Sequence, residues 1–411
     1  GRRPRFRVRL RRVPAPSRRH PGAARAARRG DALVQLGAGS SGQGPPTDYL
    51  LGSIYVGIPQ QEFNVAFDTG SGNIILPSST CRSAPCIAHH SYDDTLSGKS
   101  RDIARIDDLQ AEVHEDRPRE TVRLRVGRGS VVGQLMSDRV CLGPEESLCA
   151  QTGIIEATEM SQEPFASMPY DGVLGLGMPG VSLRKHFNLL GNLAEDGELA
   201  MDRFAVWLAA EGDGEDSEIT FGALDEGRVG SPEVMWQHLA KPESGFWQLA
   251  MKDVYVGMQE QQLCSQGDCS AVFDTGTNVI GGPTGLVDHL LAKVQVKQDC
   301  SNFDELPLLG FAFQEVVVNL DPSDYVRRTD EGLCYLQIMA IDIPPPRGPL
   351  WLLGYPFLRR YYTVYDRPTL QLGFALARHK VPVVVGGVNE TTEQTSARLV
   401  QPRVKAAATD E

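Results

Sequence analysis

The tripeptide Asp-Thr-Gly occurs twice in this chain, at Asp68-Thr69-Gly70 and at Asp274-Thr275-Gly276, inside one shared frame. Each copy follows a phenylalanine (Phe67, Phe273) and precedes a hydroxyl residue (Ser71, Thr277). Each is closed nine residues after its Asp by a proline (Pro77, Pro283). One such tripeptide is ordinary turn chemistry; two in matching surroundings are a repeat. The frame extends upstream, where Ile54-Tyr55-Val56-Gly57 and Gln60-Gln61 answer Val254-Tyr255-Val256-Gly257 and Gln261-Gln262. It extends downstream too, where Val173-Leu174-Gly175 answers Leu352-Leu353-Gly354. The offset grows from 200 residues at the tyrosine to 206 at the Asp, and the extra six can be Cys264 to Cys269. A repeat this long means two structurally similar lobes. Two acidic loops, one per lobe, point to one site built from two carboxylates and to hydrolysis by an acid-base pair.

Length agrees, since 411 residues exceed one ordinary core and suit two. The net charge of −11 is unevenly spread. Residues 1–47 hold twelve Arg, no Lys and one acid, Asp31, which leaves the remainder strongly acidic. An acidic body excludes a nucleic-acid surface and suits an enzyme working at low pH, where part of the charge is neutralised. No apolar run approaches the ~20 residues of a membrane span; Val381 to Val388 is short and broken by Pro382 and Gly386-Gly387. Counting alone allows the eight cysteines roughly a hundred pairings. Cys81/Cys86, Cys141/Cys149 and Cys264/Cys269 are close in sequence, leaving Cys300/Cys334. No C-x-x-C pair or matching histidine spacing supports zinc, so no metal and no cofactor is expected.

Phe63, Val65 and Phe67 alternate with Glu62, Asn64 and Ala66, a strand that delivers Asp68 to a turn. Val122, Leu124 and Val126 alternate with Thr121, Arg123 and Arg125; Gly127-Arg128-Gly129 then turns the chain into a return strand, giving a β-hairpin with a glycine tip. Residues 93–120 read as surface loop and edge structure. Leu286, Leu290 and Val294, just after Pro283-Thr284, predict a helix, and residues 182–190 a second short one. Residues 1–47 are Arg-, Ala-, Pro- and Gly-rich and are expected to be disordered; residues 379–411 read as a flexible polar tail, which carries the sequon Asn389-Glu390-Thr391.

Six segments carry a resemblance: FDTGSGNIILPS at 67–78, VGRGSVVG at 126–133, YDGVLGLG at 170–177, GFWQL at 245–249, VFDTGTNVIGGPT at 272–284 and WLLGYPFLRRYYTVYDR at 351–367. Over residues 49–377 the chain resembles the pepsin-family aspartic endopeptidases. The resemblance implies an all-β, mostly antiparallel, two-lobed fold with a few short helices and a cleft between the lobes. The N-terminal lobe would be 48–232 and the C-terminal lobe 233–378. It implies that Asp68 and Asp274 are catalytic, that Thr69 and Thr275 bond across the lobe interface, and that Val126, Gly127, Arg128 and Gly129 form a flap over the cleft. It also implies bridges Cys81–Cys86, Cys264–Cys269 and Cys300–Cys334, which leaves Cys141–Cys149 as the fourth. Full pairing places the chain in an oxidising secretory or endolysosomal lumen, or outside the cell. Residues 1–47 are either an extension or part of a basic prosegment of a zymogen; the absence of Lys speaks against the latter. The implied activity is endopeptidase action on peptide or protein substrates, by a monomer at acid pH. The alternative is a weak or inactive peptide-binding relative.

The neighbours of each Asp have physical roles. Gly70 and Gly276 let backbone approach the carboxylates. Ser71 and Thr277 are placed to donate to the outer carboxylate oxygens, which favours the ionised form. Three positions depart from the family. Val126 stands where a Tyr is usual, Ile75 where a Trp is usual, and Arg128 where a small hydroxyl residue is common. Losing Tyr and Trp together suggests an apolar contact replacing a hydrogen-bonded one. Arg128 is either a selector for acidic side chains or an exposed loop arginine.

Overall fold

The computed structural model describes residues 5–14, 48–108, 119–145, 147–210, 212–264, 269–314, 316–380 and 399–402. Strands dominate. The largest sheet has 14 strands, and two five-stranded sheets and a two-stranded ribbon complete the set. Six short α-helices lie among the described residues, and none of the helices there is long and apolar enough to cross a membrane.

The repeat seen in sequence becomes a repeat of strand topology. The strand Gln61–Asp68 runs parallel to Gly172–Gly175, which in turn pairs antiparallel with Ile74–Pro77. In the second half, Ser270–Phe273 runs parallel to Trp351–Leu353, which pairs antiparallel with Ile280–Gly282. The two downstream echoes are therefore the strands threaded between the arms of each Asp-Thr-Gly loop. Their glycines are needed for that threading: a Cβ on Gly175 would lie 2.5 Å from the Asn73 nitrogen, and one on Gly354 2.1 Å from the Thr277 carbonyl oxygen.

One apolar core continues from half to half. Phe204 and Tyr365 stack with centroids 4.5 Å apart, and the fully buried Trp247 packs edge-on against both. Its Nε1 donates to the Leu176 carbonyl at 3.0 Å, fastening the second half to the segment that follows the first threaded strand. All eight cysteines are bridged, as Cys81–Cys86, Cys141–Cys149, Cys264–Cys269 and Cys300–Cys334. The helix Thr284–Lys293 begins at the Pro283-Thr284 pair and buries Val287 and Leu290.

Three sequence expectations need correction. Residues 6–14 are not disordered. Phe6–Pro14 is a strand inserted between Ser217–Phe221 and Asp48–Val56 in the large sheet. Val8 and Leu10 enter the core, while Arg7 reaches Asp225 (2.5 Å) and Glu218 (3.3 Å) and Arg12 reaches Asp48 (2.5 Å). The apolar alternation and the buried carboxylates together offset the charge that suggested disorder. The tail is not wholly free either: Val400–Pro402 pairs with Val316–Leu320, and Leu399 is fully buried. Residues 182–190 are not one helix; a 3-10 turn at Lys185–Phe187 precedes the α-helix Leu189–Glu195, which starts where the Asn188 side chain accepts from the Gly191 amide at 2.9 Å. Residues 15–47, most of the 93–120 loop's tip, the interior of the Cys264–Cys269 loop, Val381–Val388 and the Asn389 sequon lie outside the described residues.

Candidate active site

Alternation of buried Phe63, Val65 and Phe67 makes Gln61–Asp68 a half-buried strand that ends at Asp68; the fully buried Ser270–Phe273 ends one residue before Asp274. Both turns then close the same way. The Gly70 amide donates to Asp68 Oδ1 and the Gly276 amide to Asp274 Oδ1, each at 2.8 Å. The loops face one another so closely that each glycine looks at the opposite carboxylate. A Cβ on Gly70 would lie 2.9 Å from Asp274 Oδ1, and one on Gly276 2.5 Å from Asp68 Oδ1. Glycine at these positions is a steric requirement of bringing two carboxylates together.

Beneath the carboxylates the two threonines interlock. Thr69 Oγ1 donates to the Phe273 carbonyl (2.7 Å) and accepts from the Thr275 amide (3.0 Å). Thr275 Oγ1 donates to the Phe67 carbonyl (2.6 Å) and accepts from the Thr69 amide (3.0 Å). Both side chains are buried, so each hydroxyl satisfies one donor and one acceptor that water cannot reach.

The hydroxyls after the glycines break the symmetry. Thr277 Oγ1 donates to Asp274 Oδ2 at 2.6 Å. The matching bond from Ser71 is not made: its buried Oγ has no partner among the described residues. The expectation that both hydroxyls serve their carboxylates is therefore half right. Repeat position alone does not fix a rotamer, and Ser71 lacks the methyl that restricts Thr277.

Asp274 is buried and in hydrogen-bonding contact with Asp68. Burial first, then the Asp68 charge, push its carboxyl up to about 7; Thr277 and the Gly276 amide act in the opposite direction without offsetting them. Two carboxyls in one dry site cannot both ionise cheaply, so the pair holds a proton that an isolated Asp loses near pH 4.

The hairpin expected to form a flap pairs Thr121–Val126 with Gly129–Cys141. Val126 pairs with Gly129 across a two-residue turn in which Gly127 takes φ +56°. Val122, Leu124 and Val126 point inward, Arg123, Arg125 and Arg128 outward. Ile75 and Val126 line one small apolar pocket beside this hairpin, with Met160, Phe165 and Met168. His89, Tyr170 and Asp171 complete that lining. Sequence reading passed over His89, Met160, Phe165 and Met168, which sit in no repeated frame; Tyr170 and Asp171 stood in the YDGVLGLG segment, but nothing there assigned them to a pocket. Among the described residues no cluster of His, Cys, Asp and Glu is arranged to hold a metal.

Comparison with known proteins adds independent findings. A profile of the family described as eukaryotic aspartyl protease matches residues 49–377. The chain is similar to cathepsin E of Mus musculus, 32% identical over 353 residues that cover 82% of this chain and 83% of that protein. It is similar to renin of Rattus norvegicus, 32% identical over 349 residues, covering 81% of each. It is also similar to pepsin A of Sus scrofa, 30% identical over 350 residues, covering 81% of this chain and 84% of that protein.

Proposed function

This chain belongs to the eukaryotic aspartyl protease family of aspartic endopeptidases, and we propose that it hydrolyses internal peptide bonds at acid pH with Asp68 and Asp274 as one acid-base pair. The observation that carries this reading is the interlocked pair itself, two carboxyls in contact, with the Asp274 proton held up to about 7.

In the proposed reaction the ionised member of the pair takes a proton from a water molecule. The water oxygen bonds to the scissile carbonyl carbon, and the protonated member donates to the carbonyl oxygen. The product is a tetrahedral diol. Its collapse breaks the C–N bond as a proton passes to the leaving nitrogen, giving a carboxylic acid and an amine and returning a singly protonated pair. The pair titrates as a unit, so the direction of its shift matters more than which Asp carries the proton. Pepsin's own pair of Asp carboxyls is the established case of two such groups sharing one proton.

The cleft in this reading lies between lobes 48–232 and 233–378, with the flap closing on a substrate. The four bridges support an oxidising compartment, and an acid optimum suits a secretory or endolysosomal lumen. Asp68→Asn and Asp274→Asn should each abolish pepstatin-sensitive cleavage of a peptide at acid pH while leaving the circular dichroism spectrum unchanged. Substantial turnover in both variants would defeat the reading, and an inert wild type that still binds pepstatin would favour a peptide-binding role.

A further inference from the structure

His89 ends the short helix Ala84–Ala88 and stands between two backbone carbonyls. Its Nδ1 lies 2.6 Å from the Pro85 oxygen and its Nε2 2.8 Å from the Met168 oxygen. A carbonyl oxygen can only accept, so both ring nitrogens must donate for both bonds to exist. A neutral imidazole has one N–H; the doubly protonated ring has two. The geometry is therefore that of an imidazolium strut tying the helix to the segment that carries Met168. That segment matters because Phe165, Met168 and Tyr170 wall the pocket that Ile75 and Val126 close from the flap side, and His89 itself lines it.

We propose that protonated His89 is a positioning residue for substrate binding, holding the Met168 side of the pocket in place, and that the pocket loosens when the ring loses its second proton. This rests on the endopeptidase reading of the site. The sign follows from the bonds: both exist while both ring nitrogens carry a proton, and one must break when the ring gives up its second proton. The effect is separate from the dyad, because the strut touches neither Asp68 nor Asp274 and acts on how substrate is held.

The charged and titratable surroundings are few. Asp171, also in the pocket lining, is engaged by the Asn64 and His90 amides at 2.9 Å each. The Tyr170 hydroxyl lies 2.7 Å from the Met168 sulfur, and burial holds it neutral across this range. Arg82 precedes the helix and donates to the Ser79 and Cys81 carbonyls. His90 is exposed beside Phe63. Glu159 and Glu163 lie on the strand Cys149–Met160 and the helix Gln162–Phe165, both packed against Ala84–Ala88. Among the described residues no second histidine serves the two carbonyls, so the pH response belongs to His89.

The test compares the full chain with His89→Gln, measuring KM and kcat for one fluorogenic peptide from about pH 4 to 7.5, within the range set by histidine and carboxyl titration. Wild-type KM should rise about five- to tenfold as the ring gives up its second proton, within the net worth of one ordinary hydrogen bond. His89→Gln should start with a raised KM and lack that step, while kcat falls towards neutrality in both through the dyad. Superimposable KM profiles overturn the proposal. In the Asp68→Asn chain, which cannot digest itself, ¹⁵N-histidine spectra should show both His89 nitrogens protonated on the acid side, with a midpoint matching the KM step. A singly protonated ring throughout, or a midpoint elsewhere, overturns it even where His89→Gln fails to fold. Pepstatin affinity of the two proteins over the same pH range separates the two readings. A chain that cleaves nothing but keeps the binding contrast defeats only the endopeptidase reading; an active chain without the contrast defeats only the His89 proposal.

Discussion

Replacing either interlocking threonine by valine keeps the shape and removes one oxygen. In Thr69→Val the Phe273 carbonyl and the Thr275 amide lose their partners; in Thr275→Val the Phe67 carbonyl and the Thr69 amide do. All four groups lie where the threonine side chains are 0% and 4% exposed, so water cannot replace the bonds. A buried polar group left unpaired costs about 1–3 kcal/mol. Two per variant gives about 2–6 kcal/mol, and the carbonyls, with a second lone pair, fall towards the low end. About 3–4 kcal/mol is expected for each single change. The two changes break one interlock, because the Thr69 and Thr275 oxygens also approach each other at 3.5 Å. The double variant should therefore cost less than the sum, by more than the ~0.5 kcal/mol that separates independent sites. Urea unfolding followed by tryptophan fluorescence, in an Asp68→Asn background that prevents self-digestion, measures all four corners. Single-variant losses under about 1 kcal/mol would mean the loops are held by something else. Strict additivity would mean the two hydroxyls act separately.

Two further expectations follow from the site. The raised Asp274 carboxyl makes the native state bind a proton that the unfolded chain has released, so its stabilising contribution is complete below about pH 4 and is lost as pH rises towards about 7, at about 1.4 kcal/mol per pH unit. Stability should therefore fall with pH across that window and the slope should flatten in Asp274→Asn; equal slopes in both proteins would contradict a proton shared in the buried pair. Under the flap, Val126→Tyr places a phenol against Ile75 without a partner, at about 1–3 kcal/mol, and Ile75→Trp overfills the pocket at a similar cost. The double variant should recover part of both losses in kcat/KM, and additivity within about 0.3–0.5 kcal/mol would show that the positions do not cooperate.

What could be read from sequence was local or repeated. Each Asp-Thr-Gly turn, the alternating strand that ends at Asp68 and the glycine-tipped hairpin are set by residues within a few positions of one another. The threaded strands showed as echoes because both halves need a glycine where backbone meets backbone at Gly175 and Gly354. The strand Phe6–Pro14 carried a local signal as well, since Phe6, Val8 and Leu10 alternate with Arg7, Arg9 and Arg11. It was obscured because the partners that make the arginines tolerable, Asp48, Glu218 and Asp225, are distant in sequence. Val400–Pro402 is the same case with no local signal, three residues recruited by an open strand edge at Val316–Leu320.

The site divides along the same line. Side chains in the repeated loops, such as Thr69 with Thr275, could be given a role through the family resemblance; backbone atoms could not. The two acceptors that hold His89 are carbonyl oxygens, one of them 79 residues away, and a carbonyl has no letter in a sequence. Ser71 fails for a related reason. Its position matches Thr277, but the bond depends on a rotamer, and the missing methyl leaves the serine free to take another. The repeat thus specifies where two carboxyls meet, while the differences between its halves specify how each is tuned. Asp274, with Thr277 bonded to it, is the more heavily furnished member, yet burial and the facing charge still prevail over that bond. The Asp274 carboxyl is accordingly raised by where the second loop lies in the core more than it is lowered by the hydroxyl that follows its glycine.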